Sequence, residues 1–64
     1  MDKFIEFNGG VFNTRYIMEL TKGYRGFQYC ISLYTTNEIE HMWFNNKDER
    51  DTIFNQLSRE LLNE

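Results

Sequence analysis

The sequence predicts an α+β domain: a four-stranded antiparallel β-meander with one C-terminal amphipathic helix packed on one face of the sheet. Three observations carry this. β-rich runs cover about 3–7, 11–21, 27–35 and 38–44, and Asn8-Gly9-Gly10 sits between the first two as a hairpin signal. Beyond Lys47 the apolar period changes from two to that of a helix.

The first turn is the clearest, because a two-residue primed turn needs positive φ, which Asn and Gly tolerate. Lys22-Gly23-Tyr24-Arg25-Gly26 reads as a longer loop between the second and third strands, and Thr36-Asn37 as a weaker turn before the fourth. From 47 to 62 the apolar residues Ile53, Phe54, Leu57, Leu61 and Leu62 share one helical stripe. Asn46 is placed to cap that helix, and Asp48, Glu49 and Asp51 favour its positive N-terminal end.

Alternation along the strands then sorts side chains between two faces. With two-residue turns, the helix-covered face holds Ile5, Phe7, Phe12, Tyr16, Met18, Leu20, Phe27, Tyr29, Ile31, Leu33, Met42 and Phe44. Against it pack Ile53, Phe54, Leu57 and Leu61. The opposite face carries Phe4, Val11, Ile17, Cys30, Tyr34, Ile39 and Trp43, with Glu6, Arg15, Glu19 and His41. A face that met only water would be mostly polar. This mixture of large apolar groups and charges has the composition of an interface, in which Trp and Tyr commonly dominate the energy. Two other readings stay open: a curled sheet turning some of these side chains into a second small core, and a three-residue turn exchanging the faces.

Length and composition narrow the function classes. A chain of 64 residues is one domain with a small core. Its single Cys30 excludes an internal disulfide, and Cys30 with His41 alone is too small a ligand set for zinc. Self-association or a tight partner is then the available reinforcement, and a homodimer or higher homo-oligomer is expected. The N-terminus lacks a signal-peptide pattern, and no apolar run approaches the roughly 18 residues of a membrane span. One unpaired thiol fits a reducing compartment, so a cytoplasmic protein without membrane contact is expected. Net charge is −3, and neither residues 1–45 nor residues 46–64 are basic, which disfavours nucleic acid.

Chemistry-bearing groups are sparse. Cys30 and His41 form the one nucleophile–base combination, and catalysis needs in addition an orienting group and an oxyanion site. The acids of the helix start are accounted for by the helix dipole. No catalytic residue, metal site or cofactor is assigned. Lys22, Tyr24 and Arg25 make one small basic patch with an aromatic between the charges, the arrangement that contacts phosphates and bases in other proteins.

Phe4-Ile5-Glu6-Phe7-Asn8-Gly9-Gly10, Asn13-Thr14-Arg15-Tyr16-Ile17 and the segment from Phe44 through Asp48-Glu49-Arg50-Asp51-Thr52-Ile53-Phe54-Asn55-Gln56-Leu57 resemble a broad group of very small bacterial and bacteriophage proteins. These have several strands followed by a helix with an acidic first turn. The resemblance runs over nearly the whole chain through core and capping positions, and the group shares no common activity. It implies a bacterial or phage origin and a binding role, and transfers no functional residue. The expectation is a non-catalytic factor that binds, and inhibits, a host or partner protein through Phe4, Ile17, Tyr34, Ile39 and Trp43. The alternatives are a nucleic-acid-contacting regulator using residues 22–26 and the sheet aromatics, or a purely structural homo-oligomer subunit.

Overall fold

Asn13 changes the architecture. In a computed structural model that describes residues 2–62, its side-chain oxygen accepts a hydrogen bond from the Arg15 amide at 2.9 Å and starts a 3₁₀ turn, Thr14–Tyr16. Asn and Thr side chains compete with strand ladders for backbone groups, and here they break the long strand expected over 11–21. The result is five strands in two sheets rather than four in one. Strands β1 (Phe4–Phe7) and β2 (Gly10–Asn13) form a hairpin, while β3 (Ile17–Arg25), β4 (Gln28–Thr35) and β5 (Ile39–Phe44) form a three-stranded antiparallel meander. Helix α1 (Lys47–Leu62) follows, as the apolar stripe predicts.

Both two-residue hairpin turns have positive φ at both central residues, the backbone that matches strand twist. Asn8 (φ 50°) and Gly9 (φ 85°) make the first, in agreement with the sequence. The second is Gly26 (φ 55°) and Phe27 (φ 69°). The expected loop over residues 22–26 is therefore mostly strand, with Arg25 paired to Gln28 across the turn. Phe27 is 89% exposed instead of in the core, since a turn tip points its side chain into solvent. The third connection is held by Thr35, whose hydroxyl accepts from the amides of Asn37 and Glu38 at 3.2 and 3.0 Å.

A bulge accounts for the remaining misplaced side chains. Ile17 lies opposite Thr35 and Glu19 opposite Tyr34, leaving Met18 as the extra residue. A bulge shifts alternation by one. Ile17 therefore joins Leu20 on the core side, while Met18 (72% exposed) and Tyr16 (48%) face solvent.

The core is built from Ile5, Phe7, Ile31, Leu33, Phe44 and Leu57, with Phe12, Ile17, Leu20, Tyr29, Met42, Ile53, Phe54 and Leu61 packed around it. Phe7 and Phe12 meet edge to face at 6.4 Å. Both α1 and the β1–β2 hairpin therefore lie on the same side of the meander. The hairpin is fastened by Asn8 Nδ2 donating to the His41 carbonyl at 3.2 Å, and by Lys3 Nζ donating to the Glu60 carbonyl.

At the helix start, Asn46 Oδ1 accepts from the Glu49 amide and its carbonyl from the Arg50 amide, both at 3.1 Å. This is the N-cap the sequence indicates. Arg50 itself is buried. Its guanidinium donates to the Gly23 carbonyl and to Asp51 Oδ1, each at 2.7 Å, and lies 5.2 Å from the centre of the Tyr29 ring. The Arg50 hydrogen bond, aided by Lys22 at 3.7 Å and by Lys47, holds the Asp51 carboxyl below its ordinary value, against a smaller opposing effect of desolvation. Because that value is lowered on folding, the contribution is present above the ordinary carboxylate range and fades as pH falls through the lowered value.

Two substitutions test these features. Arg50→Ala leaves the Gly23 carbonyl without this donor, and the expected loss is about 1–3 kcal/mol in urea unfolding at neutral pH. Phe27→Asn places a residue tolerant of positive φ at an exposed turn tip. Its melting temperature should equal or exceed that of the parent, whereas a core phenylalanine replaced by Asn would unfold so small a domain.

Candidate functional site

The pairing register defines the face of the meander turned away from α1 and the hairpin. Residues opposite one another in an antiparallel pair share a face. Three cross-strand rows follow: Glu19, Tyr34 and Ile39; Thr21, Ser32 and His41; Gly23, Cys30 and Trp43. Arg25 and Gln28 extend the face by one further pair at the turn end.

Relief on this face comes from the sizes of the side chains. Along β5, Ile39 (53% exposed) and Trp43 (46%) stand out of the surface, with the part-buried His41 between them. The His41 and Trp43 rings lie 5.8 Å apart and are tilted by 39°. Toward β3 the surface drops, because Gly23 has no side chain and Cys30 and Ser32 are buried. A Cβ placed on Gly23 would meet Cys30 Sγ at 3.5 Å, an ordinary van der Waals distance, so Gly23 leaves a gap one methyl group wide beside the thiol. The His41 ring is pinned by a 2.8 Å hydrogen bond between Nδ1 and the Ser32 hydroxyl.

Of the residues expected to form the binding surface, Tyr34, Ile39 and Trp43 come together on this face. Tyr34 is half-buried and pairs directly with Ile39. Ile17 does not join them, because the bulge turns it into the core. Phe4 is 56% exposed but belongs to β1 in the other sheet, opposite Asn13. Val11 and Glu6, paired with each other, sit on that hairpin too.

The basic patch over 22–26 is divided by strand alternation. Lys22 reaches Asp51 and lies 5.1 Å from the centre of the Phe54 ring, on the helix side. Tyr24 packs on Tyr29 with ring centres 4.8 Å apart, also on that side. Arg25 alone projects to the uncovered face. On the helix side, a cavity of about 340 Å³ opens between the first turn, β5 and α1, floored by Met42, Ile53 and Leu57 and rimmed by Glu6 and Glu60.

Alternation placed Glu19 and His41 on this face; what it missed is the Ser32–His41 hydrogen bond, which depends on the β4–β5 register, and Arg25, which joins the face because the short turn at Gly26-Phe27 extends β3. Among the described residues no group of three or more His, Cys, Asp and Glu side chains is placed to hold a metal ion, and no helix is long and apolar enough to cross a membrane. Comparison with known protein families, with curated proteins and with solved structures finds no match to this chain.

Cys30 offers a direct check of the geometry. It is 3% exposed beneath the face, so its thiol should resist an aromatic disulfide reagent in the native protein and react at once in denaturant. Rapid reaction under native conditions would show that the strand crossing at Gly23 is open.

Proposed function

We propose that this chain is a small non-catalytic protein-binding factor that acts through the uncovered face of its meander, with Trp43, Tyr34 and Ile39 as the principal contacts. One observation carries the reading. Trp43 and Ile39 are both about half exposed on one strand of a face that neither the helix nor the hairpin covers. An exposed tryptophan and isoleucine on one face are unfavourable in water, and Trp and Tyr are the residues that most often anchor protein contacts. A bacterial or bacteriophage origin, a cytoplasmic location and an inhibitory action on a host protein belong to the same proposal and derive from the resemblance and composition described above. The nucleic-acid reading is the weaker one, since Lys22 and Tyr24 are engaged on the helix side and the chain carries a net −3 charge.

The test is capture of a partner from bacterial extract by the immobilised chain, compared with its Trp43→Ala and Tyr34→Ala variants. Each substitution should weaken retention by about 2 kcal/mol or more, with an unchanged helical signal in circular dichroism. Loss of the helical signal on Trp43→Ala would place that ring in a structural role and remove the proposal.

A further inference from the structure

We propose that the occupant of the uncovered face is a second copy of this chain, docked face to face about a two-fold axis that runs across the strands. The inference rests on the reading of this face as a protein-binding surface, and adds self-association of the free chain through that same face, which a host protein displaces. It starts from charge. Glu19 and Arg25 are the only formally charged side chains in the rows of this face, and they stand at opposite ends of β3. Both are exposed, and neither forms an ion pair among the described residues. Six residues of extended chain separate them by about 20 Å, far beyond reach within one molecule.

A two-fold axis across the strands, passing between the row of Ser32 and the row of Cys30, reverses the order of the rows. It brings Glu19 of each copy to Arg25 of the other, so two ion pairs form at symmetric positions. The same operation sets the Trp43 ring of each copy against the His41 ring of the other, extending the ring contact already present within one chain. An isologous contact of this kind requires a self-complementary surface. Here the acid and the base provide it.

The distribution of charge over the molecule also favours this contact. The formal charges on the face cancel, so the whole net −3 lies on the remaining surface. Two copies that meet elsewhere bring together surfaces that on average carry like charge, which costs association energy. Packed sheets lie about 10 Å apart with strands nearly aligned. A contact of three short strands is small by the standard of stable dimers, which bury roughly 1,200–2,000 Å² in total, so the association is reversible and concentration-dependent.

The experiment is sedimentation of the full chain from about 1 μM to about 1 mM, alongside Trp43→Ala, Glu19→Arg, Arg25→Glu and the doubly reversed variant. Both charged positions are exposed, and circular dichroism confirms that each variant is folded. The parent should pass from monomer to dimer over this range. Each single reversal should raise the dissociation constant at least about tenfold through like-charge contacts. The double reversal should return it to within about threefold of the parent, because the exchanged charges pair again. A chain that stays monomeric throughout overturns the inference. If Trp43→Ala still abolishes partner capture in that case, the binding-face reading stands without it. Dimerisation weakened by Trp43→Ala but indifferent to both reversals overturns the proposed axis. Dimerisation indifferent to all of these substitutions overturns both the inference and the role given to the face.

Discussion

The fold depends on one stripe of one strand. Ile31 and Leu33, on the helix side of β4, have no solvent exposure, and β4 is the strand with a neighbour on each edge. Leu57 from α1 and Ile5 and Phe7 from β1 converge with them in one cluster. Phe12, Ile17, Leu20, Tyr29, Met42, Ile53, Phe54 and Leu61 are arranged around that cluster. Among the described residues one helix and one short hairpin cover the meander, and both are used on this side. One-sidedness follows from that placement, since the apolar residues of both elements converge on a single core.

Within this small core the buried Arg50 is the unusual component. A buried charge is unfavourable unless it is paired and hydrogen-bonded. Arg50 meets that condition through Asp51, the Gly23 carbonyl and the face of Tyr29. Its position also explains why a polar residue occupies the helix at that point. The Gly23 carbonyl lies on β3, which packs against the core through Ile17 and Leu20. Arg50 joins the helix start to that strand with a directional bond, and Lys22 reinforces the same corner by contacting Asp51 and Phe54. The acidic first turn of α1 therefore has two uses: Asp48 and Glu49 act on the helix dipole, and Asp51 neutralises the buried guanidinium.

The elements were legible in the sequence where a single local rule decided them. The helix, its Asn46 cap and the Asn8-Gly9 turn each follow from a few adjacent residues. The core members Ile5, Phe7, Ile31, Leu33 and Phe44 follow from simple alternation, and Leu57 from the helical stripe. What was not legible were the places where alternation is reset. Asn13 and Thr14 look like ordinary strand residues until the side chain of one captures the backbone amide of Arg15. Met18 is a bulge that leaves both Ile17 and Leu20 packed against the core. Phe27 carries no turn signal, and it takes positive φ because Arg25 and Gln28 close the hairpin around it. Each of these is a tertiary decision, and each moved one or two side chains to the other face. The set Phe4, Ile17, Tyr34, Ile39 and Trp43 was divided for that reason, since it spans two such resets.

The same resets shape the surface left uncovered. Without the bulge, Ile17 would stand on the outer face beside Tyr34, and Met18 would point into the core. With it, the outer row at that end consists of Glu19, Tyr34 and Ile39, so an acid occupies the corner. The short turn at Gly26-Phe27 extends β3 to Arg25 and fixes a base at the opposite corner. A longer loop over 22–26 would have left that side chain off the sheet. The bulge thus leaves Glu19, already on this face by alternation, at one corner, and the turn sets Arg25 at the other, around a ridge of Ile39, His41 and Trp43. A sheet that cannot cover its second side gains from such an arrangement, because charges at the corners restrict which surfaces can dock while the aromatic ridge supplies the apolar contact.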